Sequence, residues 1–244
     1  MSGRLLVAIV CSALAFESMA ETPFEKAVRT GDLQGISQHA SSAEYIDTPG
    51  TNDKTALMIA ARAGDSALVK ELLKLGSDPN ANNVNGGTPI MFAAISGDPE
   101  TIALLLKRKV DVNAQGSNGW SALMVAAAKG HVEACRLIIE AGANVNSEDI
   151  YLWTPLLRAA YEDRLEVIEL LLAQDDVDIH HRDDHGATAL HHAASIGATL
   201  IVELLLLSGA NATQEDFTGR TAEVYAKESG HIEVANSLRL NSYL

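Results

Sequence analysis

The chain is 244 residues long and carries 18 lysines and arginines against 32 aspartates and glutamates, a net charge of −14. A surface of that sign repels phosphate backbones and anionic lipid, which argues against nucleic acid and membrane surfaces as partners. Of the two cysteines, Cys11 lies in an apolar leader, so the rest of the chain holds Cys135 alone and is built without an internal disulfide.

Residues 1–20 have the three-part layout of a secretory signal peptide. Arg4 supplies the positive start, Leu5 to Phe16 an apolar run, and Ser18-Met19-Ala20 the small residues of a cleavage site. The run is short for a membrane span, which wants ~20 residues. Cleavage near Ala20 leaves residues 21–244 as a periplasmic or secreted protein with no stable membrane insertion; retention of the leader as an anchor is the competing expectation.

From Thr22 onward one pattern recurs: Thr22, Thr55, Thr88, Ser121, Thr154, Thr188 and Thr221, at steps of 33 residues with a single step of 34. Each hydroxyl precedes a short apolar run, as in Thr55-Ala-Leu-Met-Ile-Ala60, Thr88-Pro-Ile-Met-Phe-Ala93 and Thr188-Ala-Leu-His-His-Ala193. Thr and Ser are good helix N-caps, because the side-chain oxygen accepts an orphan amide of the first turn. Gly31, Gly64, Gly97, Gly130 and Gly197 follow nine residues after the cap and suit the left-handed residue that ends a helix. A second apolar helix restarts after each stop. One such unit cannot bury the faces it exposes and needs copies of itself.

The motif and its period resemble the ankyrin-repeat family, whose signature is T-P-L-H-x-A at 33 residues. The resemblance covers essentially all of the chain after residue 20. It implies an all-α repeat solenoid of about seven repeats including caps, each a helix-turn-helix with a β-hairpin finger, and protein binding on a concave face as the usual role.

Taken in order, repeat one is the least regular, with Gly35, Ile36, His39 and Ala40 where inner repeats carry bulkier apolar residues, as a water-facing cap requires. Repeats two to four are regular, and Met58, Met91 and Met124 read as one packing row between repeats. Repeat five departs from the pattern: Asp163 replaces the helix-ending glycine, Arg158 replaces an apolar residue, and the exit turn at 174–179 holds the inserted residue. Arg158 and Glu162 are four apart and are expected to pair along the helix. Repeat seven, with Glu223 and Arg239 at apolar sites, is the closing cap.

Five of the eight histidines, His180, His181, His185, His191 and His192, fall close together beside Asp183 and Asp184. Imidazoles and carboxylates are metal ligands, so a metal-binding protein using His180, His181 and His185 is the alternative reading. Their spacing matches no compact ligand motif, and His191 is the histidine of the repeat signature itself. The expectation is therefore no metal and no cofactor. Cys135 falls at an inward helix position without an activating partner, and no phosphate loop, nucleophile elbow or zinc-protease motif occurs. The expectation is a non-enzyme.

Partners of ankyrin proteins are generally gripped by variable residues of the fingers and the inner helices. Both tryptophans, Trp120 and Trp153, stand one residue before the cap in adjacent repeats. Tyr151, Tyr161 and Ile95 lie on the same surface, which His185 and Phe217 extend towards the C-terminus. Aromatic side chains are the usual anchors of interfaces, although the tryptophans also have the option of packing on neighbouring fingers. The sequence thus points to a monomeric, exported module that binds a protein with a basic or neutral contact face, as inhibitor, immunity factor or protective partner of an exported enzyme or toxin.

Overall fold

The computed structural model describes residues 21–43 and 45–241. The expected signal peptide lies outside the described residues. The described residues form fourteen α-helices in seven antiparallel pairs. The first helices are α1 (Pro23–Thr30), α3 (Ala56–Ala63), α5 (Pro89–Ser96), α7 (Ala122–Lys129), α9 (Pro155–Tyr161), α11 (Ala189–Ile196) and α13 (Ala222–Glu228). Their partners are α2 (Leu33–His39), α4 (Ser66–Lys74), α6 (Pro99–Leu106), α8 (Val132–Glu140), α10 (Leu165–Leu172), α12 (Thr199–Leu207) and α14 (Ile232–Asn241).

The recurring hydroxyl begins each odd-numbered helix. Thr22, Thr55, Ser121 and Thr154 each accept the amide three residues on. Thr188 uses a different device: its amide donates to His191 Nδ1 at 3.1 Å, leaving the His191 Nε2 proton for the Arg220 carbonyl of the next repeat, 3.2 Å away. The signature histidine is therefore a strut between repeats six and seven. Glycine closes five of these helices in the left-handed conformation. In repeat five Asp163 takes the same role at φ 57°, tolerable because Asp is among the few side chains that visit this region, and α9 ends one residue early at Tyr161.

Consecutive odd helices from α3 to α13 pack side by side, and so do the even helices from α4 to α14. The odd helices sit closer together, so the stack bends with them on its inner face. Alanines make that approach possible: Ala60, Ala93, Ala126, Ala159 and Ala193 are fully buried at one site. Met58, Met91 and Met124 are buried beside them and form the expected packing row. Leu72, Leu105, Ile138, Leu171 and Leu205 supply the core from the even helices.

Asparagines stitch the loops across repeats. Asn113 accepts from the Asn144 amide at 2.8 Å and donates to the Gly142 carbonyl at 3.1 Å. Asn80 and Asn146 repeat this pair of bonds one repeat earlier and one later. The fingers are turns closed by short backbone bonds, such as Gly116 N to Trp120 O at 3.0 Å. No strand forms among the described residues, only isolated bridges at Gln115–Ser121 and Glu215–Thr221. None of the described helices is long and apolar enough to cross a membrane.

Candidate functional site

The fingers entering repeats five, six and seven tie a buried carboxylate to the finger and to the inner helix at once; in the earlier finger at residues 83–87, Asn83 serves only the finger, accepting the Asn85 and Gly87 amides. Asp149, Asp183 and Asp216 are buried at the finger base. One oxygen of each accepts two finger amides: Tyr151 and Trp153, His185 and Ala187, Thr218 and Arg220. The other oxygen reaches the inner helix nine residues on. Asp149 pairs with Arg158, Asp183 Oδ2 lies 2.8 Å from His192 Nε2, and Asp216 Oδ2 accepts from the Tyr225 hydroxyl at 2.8 Å and from Arg220 at 2.9 Å. In earlier repeats the same two sites read Gly50 and Ile59, Asn83 and Phe92, Gly116 and Val125. Where the helix residue is apolar, the finger needs no second oxygen.

Arg158 therefore does not pair with Glu162. Its guanidinium bonds the fully buried Asp149 carboxylate, where the attraction is far less screened than on an exposed helix face. The same guanidinium lies 4.6 Å from the Trp120 ring and 4.3 Å from the Trp153 ring. Trp153 in turn meets the His192 imidazole at 4.3 Å, and Tyr161 stands edge-on to Trp153 at 5.4 Å. Trp120, Arg158, Trp153 and His192 thus form one ladder of rings and cation through repeats four, five and six. Both tryptophans are half-buried in it.

Beside the ladder a cleft of about 400 Å³ opens, with Tyr151, Trp153, Asp184, His185 and Tyr225 in its walls. Tyr151 is 54% exposed and Tyr161 47%. Phe217, 68% exposed, sits on the adjoining finger with Arg182 over its ring at 4.7 Å. The fingers are joined there by the Phe217 amide donating to the His185 carbonyl. Ile95 lies apart from this group, half-buried against the core, with its carbonyl 3.2 Å from His131 Nε2.

The electrostatics follow from the buried carboxylates. Burial pushes the Asp183 carboxyl up, but its bond to His192 and the amides of Ala187 and His185 outweigh this and hold it below the usual carboxylate range. Burial likewise works against Asp216, and the Arg220 amide, Thr218 and Tyr225 together hold it far below that range. Tyr225, desolvated and bonded to Asp216, is pushed up to about 12. Desolvation lowers His191, in keeping with a neutral ring that accepts at Nδ1. Burial raises the Cys135 thiol to about 12, which removes the thiolate that nucleophilic or metal chemistry needs.

His180, His181 and His185 do not converge. His180 is exposed, and His181 Nε2 lies 2.8 Å from the Leu152 carbonyl. Among the described residues, the group of three metal-ligand side chains whose ligand atoms all lie within 4.8 Å of one another is Asp183, Asp184 and His185. Asp183 is already committed to two amides and His192. Arg158, His192 and Tyr225, with their aspartates, form the part of the site that the sequence reading missed. An aspartate nine residues before a hydrogen-bonding side chain, recurring in three successive repeats, is the signal that marks them.

These features define a helical repeat solenoid with a polar, aromatic inner face at its C-terminal end. The profile for ankyrin repeats (three copies) matches residues 24–116, 97–183 and 156–243, and the chain belongs to the ankyrin-repeat family. It is similar to the human ASB11 ankyrin repeat domain, with a TM-score of 0.78 and 25% identity over 89% of this chain and 97% of that one. It is also similar to the ankyrin repeat protein EF0377, with a TM-score of 0.69 and 31% identity over 75% of this chain and 96% of that one. Among curated proteins it is 46% identical over 55 residues to the human ARF GTPase-activating protein GIT1, and the mouse and rat proteins match equally. That match spans 22% of this chain and 7% of the length of those relatives.

Proposed function

We propose that this protein is a non-catalytic binding module that captures another protein on its inner face and fingers. It works in the periplasm or outside the cell after loss of residues 1–20, as a monomer, and restrains or protects an exported enzyme or toxin. One observation carries the binding reading: Tyr151, Tyr161 and Phe217 stand exposed together on adjoining fingers and helix, beside a cleft that Tyr151 helps to wall. Aromatic side chains held in water on a rigid concave surface anchor protein interfaces. The leader-like composition of residues 1–20 supports the location, and the net charge of −14 supports a partner with a basic or neutral face.

Affinity capture with residues 21–244 from the cell envelope, followed by mass spectrometry, tests the reading. One stoichiometric partner is expected, lost from Tyr151→Ala and Phe217→Ala with the thermal midpoint unchanged. Capture that survives both substitutions places the interface elsewhere. N-terminal sequencing of the envelope pool is expected to begin near Glu21; an intact Met1 there makes the leader an anchor.

A further inference from the structure

We infer that the cleft between the fingers of repeats five to seven seats an arginine side chain from a basic segment of the partner; this rests on the protein-binding reading above. The charge of the chain is unevenly placed. Residues 141–241 hold 17 acidic and 6 basic side chains, whereas residues 21–140 hold 14 and 11. Most of the net negative charge thus surrounds the repeats that form the cleft. At the other end of the solenoid, a second cleft of about 310 Å³ has Arg29, Lys54 and Arg62 in its wall. A basic segment is attracted to the first and repelled by the second, which gives the docked chain a direction.

The local chemistry narrows the inserted group. The buried carboxylates are satisfied from within: Asp149 by Arg158, Asp183 by His192, Asp216 by Arg220 and Tyr225. Arg158 in the cleft wall is neutralised by Asp149 and does not repel an incoming cation as a free charge would. Asp184 is different. It is exposed at the cleft mouth; its Oδ1 meets the exposed His185 Nδ1 at 2.8 Å, and its other oxygen is left for a ligand. Beside it in the cleft wall is the exposed ring of Tyr151, whose backbone carbonyl accepts from the Asp184 amide. A cation over a ring and against a carboxylate gains from both.

This half of the protein already holds guanidinium groups in that manner, at Trp153 (4.3 Å), Phe217 (4.7 Å) and Tyr225 (4.7 Å). A planar, weakly hydrated guanidinium suits such walls better than a compact ammonium.

The test uses a short fluorescent Gly/Ser peptide with spaced arginines, its lysine and citrulline counterparts, and anisotropy on residues 21–244. The arginine peptide is expected to bind, more weakly as salt rises, and the lysine peptide to bind less tightly. Citrulline, which keeps the shape and removes the charge, is expected to lose at least about tenfold. Tyr151→Ala and Asp184→Asn are each expected to weaken the arginine peptide about tenfold, with thermal melts confirming the fold. Glu203→Gln, which removes one charge from the exposed face of α12, is expected to change nothing. Equal losses at Glu203 and Asp184 reduce the effect to diffuse attraction and overturn the cleft assignment. Equal binding of citrulline, or no binding of the arginine peptide, overturns it as well. If the peptide fails while Tyr151→Ala still abolishes partner capture, protein binding stands and the arginine subsite falls.

Discussion

Asp149 shows how much one side chain decides here. It is fully buried, holds two finger amides with one oxygen and meets Arg158 with the other. Removing one partner of a buried pair strands the other charge without water, an effect of about 3–5 kcal/mol. Arg158→Met is therefore expected to lower unfolding stability by about 3 kcal/mol, read by urea denaturation. Asp149→Asn added to it is expected to restore part of the loss, because the amide oxygen still serves the finger. Arg158→Met within about 0.5 kcal/mol of the parent, the range of an ordinary surface change, contradicts a structural role for the pair. Asp183 and Asp216 set the acid limit in the same way. Their carboxyls lie below the ordinary value of 3.8 in the folded chain, so their contribution is complete above about pH 4 and is lost as pH falls towards their folded values. Asp183→Asn with Asp216→Asn is expected to be less stable than the parent at pH 7, with a shallower loss on acidification to about pH 3; thermal midpoints at both pH values check this. His191 acts earlier and with the same overall direction. Its pKa is lowered from 6.5 by burial, so the unfolded chain takes up the proton first and stability declines as pH falls below about 6.5.

Among the elements, the joint between neighbouring helix pairs is where backbone and side chain meet most closely. Gly97 ends α5 at φ 72°, and a Cβ placed there lies 2.4 Å from Cγ of His131 in the next repeat. His131 bonds the Ile95 carbonyl at the end of α5 and closes that helix from outside. Gly142 also has a positive φ, 91°, but meets nothing within 4 Å. Both Gly→Ala changes carry the left-handed strain of roughly 1 kcal/mol. Gly97→Ala must in addition displace a half-buried imidazole and its bond, so it is expected to be the more destabilising by at least about 1 kcal/mol. Equal midpoints in chemical denaturation run contrary to this reading. The asparagine stitches at 80, 113 and 146 belong to the same scale: each spans two repeats and so carries weight only once the neighbour is in place.

The whole molecule is a row of nearest-neighbour contacts, so its stability is distributed along its length. Repeat one is held least: α2 buries only Gly35 and Ile36, against four core residues in α4. Native-state hydrogen exchange is expected to be fastest in α1 and α2 and slowest in α5 to α11, whose helices are packed on both sides. Exchange that is uniform from Pro23 to Asn241 argues for a single cooperative unit instead. The sequence alone determined the helix pairs, their caps, the glycine stops and the methionine row, because these repeat with a fixed period and depend on residues a few positions apart. It also placed Tyr151, Tyr161 and Phe217 on an exposed surface. What only the tertiary structure decided is which side chains meet across that surface. Helical spacing proposes Glu162 for Arg158, yet the guanidinium turns to Asp149 and lies against Trp120 and Trp153. The reason is physical: a four-residue spacing speaks for one helix in water, whereas the angle between finger and helix, and the burial of the carboxylate at its base, exist only after the repeats have stacked.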